Sequence, residues 1–271
     1  MSRSRHRSGE AMTAIIRRDT YDAYAAASGW RASDLKLIYA SPRAYRWARD
    51  HGQTETPAMA RGTAVHTLVL EPDEFAARYA VFDGVRRGHA WETFRDGNAG
   101  REILTQGEYD TARWMADSVL QDIFARLVLD GVSAERSFYW SDEETGAPLK
   151  CRVDFVGPRA FGDLKTTRDP RKHAFCSDAY SRGYHLQLAM QHDACVALAG
   201  EAPPGYVIAI GSSIPYETVV YEVPDEMIEN GRNDYRAALR TLAECTERNV
   251  WPGSATTIQR LDTPGWYRAR G

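Results

Sequence analysis

Between residues 105 and 131, in TQGEYDTARWMADSVLQDIFARLVLDG, apolar side chains return every three or four positions, the period of a helix with one face in a core. Upstream, residues 20–52 read as successive helices, with Ser33 as an N-cap before DLKLIYA and Pro42 restarting the chain at a first helical position. Within residues 59–82, Gly62 is read as opening an apolar helix that carries His66 and that EPDEF ends. Residues 83–102, rich in Gly, Arg and Asp, read as a mobile loop. From Ser133 the period shortens to two: AERSFYWSD, APLKCRVDFVG and AFGDLKTT are short β-rich runs separated by EETG and GPR, an antiparallel meander. A long helical stretch (170–200), two more strands (205–213 and 216–224) and a final helix (225–249) follow, then an irregular tail. Residues 1–12 have little to bury and read as disordered. This order describes one α/β domain over 13–271, a mixed central sheet flanked by helices with a helical N-terminal subregion.

The 43% apolar content is enough to fill a core. No run of about eighteen apolar residues occurs, and the N-terminal stretch lacks the apolar segment of a secretory signal, so a cytoplasmic protein without membrane contact is expected. Cys151, Cys176, Cys195 and Cys245 have neither zinc-knuckle nor disulfide-framework spacing. A net charge of −3 argues against a protein that coats nucleic acid indiscriminately. The average hides an asymmetry: residues 1–50 hold ten Arg and Lys against five Asp and Glu, net +5, which leaves −8 for the rest. A basic entry segment on an acidic body suits a polyanion guided toward metal-binding carboxylates.

The candidate chemistry lies in CRVDFVGPRAFGDLKTTRDP, residues 151–170. Alternation gives the first strand an apolar face of Cys151, Val153 and Phe155 and a polar face of Arg152 and Asp154. Asp163 and Lys165 share one face of the second strand, roughly 7 Å apart along it. If Asp154 pairs across the hairpin, all three groups converge. Two carboxylates brought together repel unless a cation neutralises them, and Mg2+, with its preference for oxygen ligands, is the natural occupant. The competing reading is a solvated hairpin with an Asp163–Lys165 surface pair. The apolar content around Val153, Phe155 and Leu164 makes the hairpin internal, and internal carboxylates need partners.

RVDFVGPRAFGDLKTT resembles the bipartite motif of the PD-(D/E)XK nucleases. Around it, GTAVHTLVLEPDEF, SFYWSDEETGAPLKCRVDFV, GDLKTTRDP and YHLQLAMQHDA occur in the order and approximate spacing of the RecE-like exonucleases, the exodeoxyribonuclease VIII branch, over residues 30–255. The resemblance implies a restriction-endonuclease-like core in which Asp154 and Asp163 bind metal, with the Leu164 backbone carbonyl as a further ligand. Lys165 matches the lysine that orients or activates the attacking water, and His66 a histidine that reaches a metal from an N-terminal helix. Gln187 matches the glutamine of a QxxxY motif that braces the site; Gln191 stands where that motif has tyrosine, and its role is open. The implied activity is 5′→3′ hydrolysis of linear double-stranded DNA, leaving 3′ tails for a RecT-like strand-annealing partner. Phosphodiester hydrolysis is well served by two cations, Mg2+ or Mn2+, about 3.5–4 Å apart.

Glu135, on the first strand of the meander, could edge the metal site or form a plain ion pair. Arg43 and Arg46 in the basic segment, and Arg86 and Arg87 in the Gly-rich loop, are candidate phosphate contacts, with a solvated helix face as the alternative for the first two. Trp91, Trp251 and Trp266 could stack on bases or simply pack. Ser41-Pro42 stands where iron–sulfur relatives carry Cys-Pro, so no iron–sulfur cluster is expected. Rival readings are a Cas4-like or endonucleolytic enzyme on the same site and a catalytically silent DNA-binding module. To hold an acidic protein on DNA, a homo-oligomeric ring, trimer or tetramer, is expected to line its channel with the basic helices.

Overall fold

The computed structural model describes residues 14–52, 56–255 and 257–263, so the expectations for 1–12 and Trp266 lie outside the described residues. In chain order the elements begin with β1 (Ile15–Arg17), α1 (Tyr21–Ala26), α2 (Ala32–Ala40), α3 (Pro42–His51) and α4 (Pro57–Leu70). A single 3-10 turn leads into α5 (Phe75–Arg78), β2 (Tyr79–Phe82), α6 (His89–Gly97) and β3 (Glu102–Thr105). Next come α7 (Gln106–Gln121), α8 (Ile123–Leu129), β4 (Ser133–Ser141), β5 (Pro148–Val156) and β6 (Phe161–Thr167). The chain closes with α9 (Lys172–Ser181), α10 (Tyr184–Ala199), β7 (Gly205–Gly211), β8 (Thr218–Glu222) and α11 (Asp225–Arg248).

Six strands form a mixed sheet in the order β1-β4-β5-β6-β7-β8, antiparallel except for the parallel pair β6–β7. That parallel step requires a crossover, which α9 and α10 supply. Strand β7 shows how the sheet is covered on both sides: Val207 and Ala209 join the core under α2, α10 and α11, while Ile208 and Ile210 join the core under α4, α7 and α8. A mixed central sheet flanked by helices is therefore the architecture, and no helix among the described residues is long and apolar enough to cross a membrane.

Several local expectations give way to specific contacts. Pro42 does start α3, with the Ser41 side chain accepting from the Ala44 N–H. Ser33 is not a cap: α2 starts at Ala32 with Arg31 as a cap that makes no side-chain bond. Gly62 lies inside α4, whose N-terminus is capped by Thr56. The supposed loop at 83–102 contains α6, whose Trp91 and Phe94 rings pack on Phe82. The helical stretch at 105–131 breaks at Asp122, whose carboxylate caps Ala125, and that at 170–200 breaks at Gly183, with φ +66.

Helix α10 is pressed against α11 at Gly231, where a Cβ would lie 2.0 Å from the His185 carbonyl oxygen. Only glycine permits that approach. The contact seats α10 against α11, and α10 carries Gln191 and Tyr184 to the site.

Candidate metal centre

Strands β5 and β6 pair only through Phe155↔Gly162 and Val156↔Phe161, then part. Past that point the Leu164 N–H has no backbone partner on β5, and the Asp154 carboxylate accepts it instead at 2.8 Å. The meander's polar residue thus fills a gap in the ladder. Across β5, the β4–β5 ladder runs in one register from Ser133↔Val156 to Ser141↔Pro148, except that Glu135 and Asp154 do not pair. Glu135 there has φ +52, a left-handed conformation that costs a non-glycine residue of order 1 kcal/mol or more. Beside this break Val153 packs into one core layer and Phe155 into the other, so the single apolar face expected for Cys151, Val153 and Phe155 divides at Asp154.

The break gathers donors from three elements. His66 reaches over from α4, its Nδ1 3.4 Å from Asp154 Oδ2. His66, Glu135 and Asp154 each offer a ligand atom, all within 4.8 Å of one another. Glu135 is also held by the Arg152 guanidinium, which donates in turn to the Asp19 carbonyl. Asp163, fully buried on β6, takes a hydrogen bond on Oδ1 from Gln191 Nε2 at 2.9 Å. Its Oδ2 makes no hydrogen bond and has the Lys165 ammonium at 3.2 Å as an ion-pair partner. Lys165 in turn lies over the Tyr184 ring, 5.1 Å from its centroid.

Burial, then the neighbouring Asp163, push the Asp154 carboxyl up to about 7. Burial and then Asp154 raise Glu135 as well, against the opposing pull of Arg152. Burial, followed by the charge on Lys165, lowers His66, which leaves its imidazole neutral with a lone pair to offer. Burial also draws Lys165 down, but Asp163 and Asp154 outweigh it and hold the ammonium above the ordinary lysine value. The site thus sets the carboxyl groups of Asp154, Asp163 and Glu135 against Lys165 and Arg152, with a neutral imidazole beside them and one buried Asp163 oxygen whose partner is the Lys165 ammonium. That donor set fits a divalent cation with mixed oxygen and nitrogen ligands.

The bracing expected of Gln187 falls instead to Gln191. Gln187 Oε1 accepts from Lys36 Nζ at 3.1 Å, while Gln191 is the amide that holds Asp163. Leu164 donates its N–H to Asp154, and its backbone also hydrogen-bonds His66, which favours the charged imidazole. Tyr184, Gln187 and Gln191 stand at i, i+3 and i+7 along α10, on one stripe of the helix, and that spacing is the signal the sequence offers for all three.

A cleft of about 1850 Å³ opens beside these groups, with His66, Glu135, Arg152 and Lys165 on its wall. Arg18, Arg31, Arg49, Arg78 and Arg182 also line it. The arginines singled out in the sequence do not. Arg43 and Arg46 lie on other faces of α3 from Tyr45, Ala48 and Arg49, which face the cleft. Arg46 is bonded to Asp50 and lies over Trp251. Arg86 pairs with Glu108 and lies over Trp91, and Arg87 is exposed on the same loop. Trp251 also packs on Tyr45.

The fold resembles that of a protein from Eubacterium rectale provisionally named an exonuclease, with a TM-score of 0.65 at 14% identity over 92% of this chain and 96% of that one. A phage-related exonuclease from Haemophilus somnus 129PT aligns over 82% of this chain and 97% of its own, at 12% identity and a TM-score of 0.36. Among curated proteins no relative matches. Residues 32–264 match the PDDEXK-like domain of unknown function DUF3799, and a match over so much of its length means that the chain belongs to that family.

Proposed function

We propose that this chain is a divalent-metal-dependent exonuclease that hydrolyses linear duplex DNA from its ends, 5′→3′, leaving 3′ single-stranded tails. The observation that carries the reading is a buried carboxylate pair, one oxygen of it without a hydrogen bond, meeting a charged lysine that opens on an arginine-lined cleft. Asp154 and Asp163, with His66 and Glu135, would hold Mg2+ or Mn2+. A divalent cation there supplies Lewis-acid relief of the phosphate's charge and lowers the pKa of the attacking water. Lys165, an ammonium facing the cleft, donates a hydrogen bond to the water or to a phosphate oxygen and offsets charge developing in the transition state. Gln191 keeps Asp163 in one rotamer, and Arg152 keeps Glu135 turned toward Asp154. The cleft arginines bind flanking phosphates and fix the register of the strand.

Direction, the number of cations, a strand-annealing partner and a ring of subunits rest on the resemblance read in the sequence and belong to the same proposal. Incubation with Mg2+ of a linear duplex and of the same duplex as a covalently closed circle tests the end requirement. Loss of the linear form with the circle intact is expected; cutting of the circle would make the enzyme an endonuclease.

A further inference from the structure

Lys36 was not among the residues the sequence singled out, yet it is built into the back of the site. Its stem packs over Gly183, where a Cβ would lie 3.0 Å from Lys36 Cγ, and its ammonium donates to Gln187 Oε1 at 3.1 Å. It lies 5.5 Å from the centroid of the Tyr184 ring that also carries Lys165. Two lysines from different elements, α2 and β6, thus meet one aromatic ring beside a carboxylate pair. Lys36 does not line the cleft, so it is placed to act on the site electrostatically and not on the substrate.

We propose that Lys36 is a positioning residue that sets metal occupancy: while protonated, its ammonium opposes a divalent cation at the Asp154–Asp163 carboxylates, and once neutral it does not. The inference rests on reading this site as a metal centre. Like charges in a partly buried site repel strongly, and a second cation behind Lys165 adds to the work of loading a third. Burial first, and then Lys165, bring the Lys36 ammonium down to about 7 against the opposing pull of Asp163, so its charge changes near neutral pH. The charged or titratable groups facing it are Lys165 and Asp163 on β6 and Tyr184 on α10. Others nearby are committed elsewhere: Asp34 on its own helix pairs with Arg31, Tyr39 bonds to Asp234 of α11, and on α3 Arg49 donates to Tyr45.

The test is calorimetric titration with Mn2+ alone of the full chain and of Lys36→Met and Lys36→Arg, at about pH 6 and about pH 8.5, either side of the lysine's transition. Asp154 changes charge in all three proteins, so comparison at one pH isolates Lys36. Lys36→Met should bind Mn2+ more tightly than the natural chain at the lower pH, by about tenfold, with the gap closing at the higher pH. Lys36→Arg, permanently charged, should bind more weakly than the natural chain at the higher pH. A residue with a purely structural role would not produce tighter binding on removal. Equal affinities for the natural chain and both variants would overturn the inference while leaving the metal centre standing. Absence of Mn2+ binding by the natural chain would overturn the metal centre and this inference together. Should Lys36→Met not fold, the arginine variant decides alone: binding equal to the natural chain's at the higher pH sinks the proposal.

Discussion

Asp163 has one carboxylate oxygen held by Gln191 and the other paired with the Lys165 ammonium at 3.2 Å, so both groups of the pair sit where a cation and a scissile phosphate would meet. Asp163→Asn or Lys165→Ala should therefore lower hydrolysis by about a hundredfold or more while leaving the circular dichroism spectrum unchanged. His66→Ala should raise the metal concentration needed for half-maximal activity by about 10–100-fold, with DNA binding little altered, because the imidazole offers a nitrogen to the cation and nothing to phosphate. Asp154 makes a prediction of opposite sign for stability. Its carboxyl, raised to about 7, binds a proton more tightly folded than unfolded. Metal-free protein therefore loses stability as pH rises from the ordinary carboxylate range to about 7, and above that the penalty is complete. Asp154→Asn keeps an acceptor for the Leu164 N–H but removes the charge. At about pH 8 without metal it should be more stable than the natural chain by on the order of a few kcal/mol, seen as a higher melting temperature, and the difference should fade toward about pH 4. A melting series in chelator checks this; a less stable variant at the higher pH would show that Asp154 is held by contacts other than those described.

The elements divide by how local their causes are. The β4–β6 meander was legible because alternation and turn residues are written in adjacent positions, and the Asp154, Asp163, Lys165 set was legible with it. Strands β1, β2 and β3 span only three or four residues each, too few for a period, and exist because β4 and each other offer a ladder. The start of α4 is not legible in the apolar pattern because Thr56 and Pro57 lie ahead of the apolar run after Gly62. The role of Gln191 is not legible in the sequence, where the family pattern points to Gln187, because the bond to Asp163 depends on how α10 is rotated against β6. On its other side α10 meets α11 most closely at Gly231. Gly231→Ala should destabilise the fold by about 1–3 kcal/mol despite alanine's better helix propensity, because a Cβ cannot coexist with the His185 carbonyl. Thermal melts measure it; a neutral or stabilising result would mean that α10 and α11 do not cross so closely.

At the scale of the molecule, an acidic protein binds a polyanion through where its charges sit. The cleft places Arg31, Arg49 and Arg182 beside the carboxylates, whereas Arg43 and Arg46 lie outside it; charge counting along residues 1–50 cannot separate Arg49 from Arg43 and Arg46, which share α3, and does not reach Arg182 after α9. Arg49→Ala with Arg182→Ala should weaken duplex binding in the presence of Ca2+ and reduce its salt dependence, and Arg43→Ala with Arg46→Ala should do so less. Equal losses would place the DNA path outside the cleft. The central claim, metal-dependent hydrolysis from DNA ends at Asp154, Asp163 and Lys165, is tested most directly with a linear duplex labelled at one 5′ end, incubated with Mg2+ or with chelator. The account predicts early release of the label as short products with Mg2+, none in chelator, and none from Asp163→Asn with Mg2+. Label release that persists in chelator, or that Asp163→Asn matches, would contradict it.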